Sequence, residues 1–161
     1  MSKLTALITG ASGGIGLEFA RIHAAYKYDL VLVARNETQL LKIRAEIEKE
    51  FGVTVWLFSA DLTLADSIPN LLEFIEKKNI RVNHLINNAG IGVYGKFHET
   101  TLKANKKLID LNINALVSLT HAIGEIMVKN GSGKILNVAS TAAFMPGPYM
   151  SVYFASKAFV L

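Results

Sequence analysis

Apolar residues along this chain switch between two rhythms. Short, nearly continuous apolar runs mark strands buried on both faces. They lie at Leu4–Thr9, Asp29–Ala34, Val53–Ser59, Val82–Asn87 and Lys134–Ala139. Between them the spacing becomes helical. Phe19, Ala20, Ile22 and Ala24 share one helix, and Leu40, Ile43, Ile47 and Phe51 form a stripe on the next. Ile68, Leu71, Leu72 and Ile75 mark a third, and one long helix, apolar nearly all round, is predicted from Lys103 to Lys129. A last helix carries Tyr153 and Lys157 and runs to Phe159-Val160-Leu161. Asn36 is placed as an N-cap with Gln39 completing a capping box, and Gly52 is placed to end that helix.

Strands alternating with crossover-length helical segments imply a parallel sheet covered on both faces. The expectation is therefore an α/β chain, a Rossmann-like doubly wound sheet forming one domain over 1–161. Only five strands can be counted, whereas a full dinucleotide-binding fold has about six. The chain is accordingly expected to be the N-terminal part of a longer protein. No repeat, low-complexity segment or linker interrupts the pattern.

Composition narrows the chemistry. With 51% hydrophobic and 19% charged residues, the chain reads as ordered and globular. It has no cysteine, which removes disulfides, thiolate metal sites and thiol catalysis. His23, His84, His98 and His121 lack metal-ligand spacing, so no metal is expected and packing or surface roles suit them. The net charge of +4 is spread among acids without a basic block. That argues against nucleic acid and leaves a mild bias toward an anionic ligand. The run from Met1 to Thr9 does not read as a signal peptide, and no apolar run reads as membrane-spanning. A cytoplasmic protein without membrane contact is expected.

The junction after the first strand carries the first chemical signal. Gly10-Ala11-Ser12-Gly13-Gly14-Ile15-Gly16 leads directly into a helix. Glycines let the backbone approach a pyrophosphate, and the helix start offers unpaired N–H donors and a positive dipole end. A P-loop is excluded, because no Lys-Ser or Lys-Thr pair follows the last glycine. Past the second strand, where an acid would bind the ribose 2′-hydroxyl of NAD, stand Ala34 and Arg35. An arginine fork suits a 2′-phosphate, so NADP(H) is favoured over NAD(H). Glu37 fits the first turn of the following helix.

Tyr153 and Lys157 carry the second signal. Four residues apart on a helix, they share a face. A neighbouring ammonium favours phenolate and makes tyrosine a usable acid or base near neutrality. Ser140, ending an apolar run, could hydrogen-bond the same substrate oxygen. Tyr149 is a rival tyrosine, but its fourth neighbour is Tyr153 rather than lysine.

Together these features resemble the short-chain dehydrogenase/reductase family, in its single-domain branch, and the resemblance covers essentially the whole chain. Thr9-Gly10-Ala11-Ser12-Gly13-Gly14-Ile15-Gly16 matches the family's glycine motif, and Asn87-Asn88-Ala89-Gly90 its second motif. The resemblance implies cofactor contacts from Gly10, Ser12, Gly13, Gly14, Ile15, Gly16, Arg35, Asp61, Leu62, Asn88, Ala89, Gly90, Tyr153 and Lys157, with Asp61 meeting the adenine amine. It also implies a catalytic tetrad of Asn114, Ser140, Tyr153 and Lys157, in which Asn114 anchors a water of the proton relay and Lys157 binds the nicotinamide ribose.

The function implied is an NADP(H)-dependent oxidoreductase acting on a carbonyl or secondary alcohol of ketone or 3-oxoacyl type. The alternatives are a noncatalytic NADPH-binding protein of the same fold, an epimerase or dehydratase, and a methyltransferase, for whose ribose-binding acid Arg35 is wrong. Ile91, Val93, Tyr94, Phe97, Phe144, Met145, Tyr149 and Met150 suggest an apolar cleft for a small-molecule substrate. The apolar long helix suggests a homo-oligomer, a dimer or tetramer.

Overall fold

β1 (Thr5–Thr9) is the middle strand of a five-stranded, all-parallel sheet. The computed structural model describes residues 3–161, so Met1 and Ser2, included in the signal-peptide reading, lie outside the described residues. β2 (Asp29–Ala34) and β3 (Val55–Ser59) extend the sheet on one side of β1, and β4 (Val82–Asn87) and β5 (Lys134–Asn137) on the other. The order is β3-β2-β1-β4-β5. The direction of winding reverses at β1, so the C-terminal ends of β1 and β4 open the crevice where ligands sit in such sheets.

Period-two alternation distributes the strand side chains. Ala6, Ile8, Leu30 and Leu32 face one side, packing with Ala20 and Ala24 of α1 (Gly14–Ala25) and Leu40, Ile43 and Ile47 of α2 (Glu37–Phe51). Leu7, Val31, Val33 and Leu85 face the other, against Leu71 and Ile75 of α3 (Ser67–Lys77) and Leu119, Ile123 and Met127 of α5 (Leu116–Lys129). Both faces are covered, which is why the strands read as continuous apolar runs. The Asn36 side chain accepts from the Gln39 amide at 3.0 Å, and Gly52 ends α2 at φ 64°, the left-handed conformation glycine adopts without strain.

The long helix departs from the expectation of one regular element. It divides into α4 (Leu102–Ile109), a π-helical turn (Asp110–Ala115) and α5. A π turn adds a residue to the coil, and such insertions occur frequently at functional sites. The helical run Leu102–Lys129 also differs from the reading that no segment is membrane-spanning. The run is 28 residues long and contains an 18-residue window of mean hydropathy 1.3, long and apolar enough to cross a bilayer. Here one of its faces packs on the sheet.

Two other features differ from the pattern. β5 ends at Asn137, and a short 3₁₀ turn (Thr141–Phe144) follows before α6 (Ser151–Val160). All four residues of β5 are exposed; as the sheet's edge strand it leaves Leu136 44% accessible. Next to β5, on β4, His84 meets α1: His23 Nδ1 lies 2.8 Å from the Phe19 carbonyl and His23 Nε2 3.2 Å from His84 Nδ1. The pair packs with Tyr28, and burial together with His23 and Lys134 holds the His84 pKa below its ordinary value.

Candidate active site

The glycine loop is shaped by close approach. Gly10 has φ 68°, and a Cβ there would lie 2.8 Å from Asn88 Nδ2. A Cβ on Gly16 would overlap the Gly10 carbonyl oxygen and lie 2.6 Å from the same amide nitrogen. Asn88 is what brings these groups together. Its side chain donates to the Thr9 carbonyl at 2.9 Å and the Gly10 carbonyl at 3.3 Å. Thr9 Oγ1 in turn accepts from the amides of Asn88 and Ala89, each at 3.0 Å. The loops after β1 and β4 are therefore one hydrogen-bonded unit. By contrast, a Cβ on Gly13 or Gly14 would meet nothing within 4 Å. No side chain caps α1 and no acid stands in its first turn. Its amide donors and positive dipole end are open to an anion.

Two cavities adjoin this loop. The first, of about 220 Å³, is lined by Gly10, Ser12, Arg35, Asp61, Leu62, Ala89, Gly90, Ile91 and Lys107, among others. Arg35 is exposed and forms no salt bridge among the described residues. Glu37 stands in the first turn of α2, where it complements the helix dipole. Asp61 is well held. Its Oδ1 accepts from the Thr63 amide at 3.1 Å and the Thr63 hydroxyl at 2.8 Å, and its Oδ2 accepts from Lys107 Nζ at 2.8 Å. The lysine bond is the chief cause that lowers the Asp61 pKa to about 2.

The second cavity, of about 350 Å³, is lined by Ile15, Asn88, Gly90, Ile91, Gly92, Val138, Ala139, Met150, Tyr153 and Lys157. Gly90 and Ile91 line both, so the two cavities adjoin over the ends of β1 and β4 and together make up the cleft. Lys157 is only 6% accessible. Its Nζ donates to the Val138 carbonyl at 2.8 Å, and burial pushes the ammonium pKa down. Ser140 follows directly after the lining residue Ala139. Its hydroxyl oxygen accepts from the Ala142 amide at 3.1 Å, which leaves the O–H free to donate.

Asn114 is not in this cleft. It is exposed, and its amide donates to Asp110 Oδ1 at 2.9 Å, on the outer face of the π turn. Asn112 takes the inward place expected of Asn114. It is 2% accessible, and its Oδ1 accepts from the Ile91 amide at 2.9 Å. Its Nδ2 donates to the Ile91 carbonyl at 3.0 Å and to Ser156 Oγ at 3.0 Å. The physical reason is rotation about the helix. Asn112 lies four residues past Leu108 and three before Ala115, on the stripe that continues through Leu119 and Ile123. Asn114 falls two residues off that stripe. The spacing alone was enough to choose between them.

Several aromatic side chains are exposed in the segments that follow β4 and β5, Phe144 beside a separate cavity with Met145 and Phe154. Tyr94 and Tyr149 stack with ring centroids 5.6 Å apart, and the Gly95 amide donates to the Tyr149 carbonyl at 2.8 Å. Tyr149 has φ 64°, a costly conformation for a non-glycine residue, just before α6. Phe97 and Phe144 are 68% and 74% accessible.

The family model for short chain dehydrogenase matches residues 4–161. The chain belongs to that family. A very-long-chain 3-oxoacyl-CoA reductase of Laccaria bicolor is 34% identical over 157 residues, 96% of this chain but 46% of the relative. Among solved structures, a short-chain dehydrogenase from Sphingobium yanoikuyae, in complex with NADPH, superposes with TM-score 0.91 at 41% identity. That match covers 98% of this chain and 61% of the other. A bulky-bulky ketone specific alcohol dehydrogenase from Comamonas testosteroni gives TM-score 0.92 at 34% identity, covering 99% and 64%. The chain thus spans about half the length of the curated relatives it matches.

The residues present fit a dinucleotide. The Gly10–Gly16 approach leaves no space for side chains, the α1 amides are open, and the cleft has a cation at Arg35.

Proposed function

We propose that this chain is the cofactor-binding and proton-transferring part of an NADP(H)-preferring oxidoreductase. Its substrate would be a ketone, a 3-oxoacyl group or the matching secondary alcohol. The observation that carries this is the pair of adjoining cavities, one lined by Arg35 and Asp61 and the other by Tyr153 and Lys157. A bound nicotinamide supplies hydride exchange with a carbonyl carbon. The chain's own residues do the rest. Gly10, Ser12, Gly13, Gly14, Ile15 and Gly16 with the α1 amides take the pyrophosphate, and Arg35 the 2′-phosphate. Asp61 and Leu62 take the adenine, and Asn88, Ala89 and Gly90 form the cleft floor.

Tyr153 gives a proton to the substrate oxygen, or removes one, and the Ser140 hydroxyl donates to that oxygen as charge develops. Lys157, one helical turn on, lines the same cavity as Tyr153 with its ammonium held on the Val138 carbonyl. Asn112, in place of Asn114, holds the cleft wall to α6. The exposed aromatics Tyr94, Phe97, Phe144 and Tyr149 in the segments after β4 and β5 favour a lipophilic substrate, in keeping with relatives named for a 3-oxoacyl-CoA and for a bulky ketone. Ile109, Val117 and Val128 are exposed on the long helix and favour pairing of copies there.

The test is steady-state turnover by the full-length protein on a panel of ketones and 3-oxoacyl thioesters, with NADPH and NADH in parallel. NADPH-dependent reduction that Tyr153→Phe abolishes is expected. Binding of NADPH without turnover of any carbonyl or alcohol would replace this reading with a noncatalytic one.

A further inference from the structure

Lys107 belongs to none of the motifs that mark the cleft, yet it reaches into it. It rises from α4, 46 residues away in sequence from Asp61, and both side chains line the first cavity. Donors on Asp61 can be counted. Oδ1 accepts two bonds from Thr63, and Oδ2 accepts one from Lys107. A carboxylate oxygen takes about two donors, so one acceptor position remains, on Oδ2. The Asp61 carbonyl is also fixed, by the Ser67 hydroxyl at 2.7 Å and the Leu64 amide at 3.0 Å. Asp61 therefore has one open acceptor and little freedom to redirect it.

Resting on the dinucleotide reading above, we infer that Lys107 is a positioning residue for the cofactor's base. Its ammonium pins Asp61 Oδ2 so that the remaining lone pair selects a purine bearing an exocyclic amine, adenine rather than hypoxanthine. Without Lys107 both acceptor positions of Oδ2 are open, and the carboxylate can accept from water or from the N1–H of hypoxanthine almost as well. The pin also keeps the acceptor ionised. With Lys107 in place the carboxyl titrates at about 2; without it, protonation moves toward the ordinary aspartate value. The other charged groups around Asp61 are Arg35 across the cavity and Lys103, Lys106 and Asp110 along the adjoining hollow. None of them donates a hydrogen bond to the carboxylate.

The experiment titrates full-length protein with NADPH and with reduced nicotinamide hypoxanthine dinucleotide phosphate. Wild type, Lys107→Met and Lys107→Arg are compared between about pH 8 and about pH 3, a window that reaches below the ordinary aspartate value. Met keeps most of the apolar stem and loses the charge, and Lys107 is partly exposed, so folding is not at stake. Wild type is expected to prefer NADPH by about tenfold, the scale of one charge-assisted hydrogen bond, and to keep that preference on acidification, because the 2′-phosphate that takes its second proton near about pH 6 is common to both dinucleotides. In Lys107→Met the preference should fall to about threefold or less. Its remaining preference should also decline further below about pH 5 as Asp61 protonates, a decline that wild type does not show. Lys107→Arg should restore both.

A Lys107→Met protein that keeps the wild-type preference at every pH overturns the inference while the dinucleotide reading stands. So does a wild type that binds both dinucleotides equally. A wild type that binds neither dinucleotide removes the reading itself, and the inference falls with it.

Discussion

The Asn112 amide donates to the Ser156 hydroxyl at 3.0 Å, joining the π turn of the long helix to the helix that carries Tyr153 and Lys157. The Ser156 hydroxyl itself donates to the Tyr153 carbonyl at 2.8 Å. Asn112 also closes two bonds on the backbone of Ile91, where the two halves of the cleft meet. One side chain thus fixes three elements relative to one another.

Asn112→Ala should therefore leave the Ile91 amide and carbonyl without partners. Each unsatisfied buried group costs about 1–3 kcal/mol, and the cleft wall should loosen with it. Asn114→Ala removes only an exposed bond to Asp110 and should change stability by about 0.5 kcal/mol or less. Denaturant unfolding of both variants checks the contrast. Equal effects would mean that the asparagines are interchangeable and that the π turn does not set their roles.

The glycine loop separates folding from binding. A Cβ at Gly16 runs into the Gly10 carbonyl, which cannot move without breaking the Asn88 bonds. Gly16→Ala should cost about 1–3 kcal/mol, as overpacking commonly does. Gly13 has φ 171° and open space around its Cα. Gly13→Ala should fold normally and lose affinity for the dinucleotide, because its methyl occupies the approach to the α1 amides. Thermal unfolding and NADPH titration on both variants separate the two effects. A Gly13→Ala protein with unchanged affinity would place the pyrophosphate elsewhere.

Arg35 tests cofactor choice. It is exposed at the end of β2, so its removal should leave stability almost untouched. Arg35→Ala should weaken NADPH binding by roughly 1.5–3 kcal/mol, the scale of a hydrogen bond to a charged group, and leave NADH binding nearly unchanged. Equal losses for both cofactors would show that the guanidinium does not meet the 2′-phosphate.

Much of this was readable from residues because local and global signals agree. Leu30 to Val33 are apolar on both sides because helices cover both faces, and Asn36 and Gly52 punctuate α2 by their own chemistry. The Gly10–Gly16 spacing implies a close approach that the geometry places against Asn88. Misplacing the helix asparagine came from matching a motif without first finding the buried stripe from Leu108 to Ala115. The π turn leaves no compositional mark, since it is a change of hydrogen-bond register within a helical run. Lys107 was invisible for a different reason. Its partner Asp61 lies on another element, and no periodicity links a lysine on α4 to a loop after β3. The Tyr149 backbone was likewise beyond reach, since its positive φ is imposed by the Gly95 bond and the Tyr94 stack.

Lys157 offers a test in which stability and activity move separately. Its side chain is 6% accessible, and the single hydrogen bond it makes is to the Val138 carbonyl. Burial disfavours the charged ammonium, so the folded-state pKa lies below the ordinary lysine value, 10.5, which the unfolded chain retains. Between the two values the unfolded state binds more protons, and stability then rises with pH. The penalty of burying the charge is greatest below the folded pKa and disappears as pH rises toward 10.5. The neutral amine still donates to Val138, so the hydrogen bond survives deprotonation. Lys157→Met keeps most of the packing and cannot titrate. Urea unfolding of wild type and Lys157→Met from about pH 7 to about pH 10, approaching the lysine range, should show the balance shifting toward wild type as pH rises. Turnover in Lys157→Met should fall by about a hundredfold or more, the usual contribution of a positioned acid–base group. A balance that shifts toward Lys157→Met with rising pH would mean that the ammonium is stabilised where it sits. The desolvated-lysine description of the cleft would then be wrong.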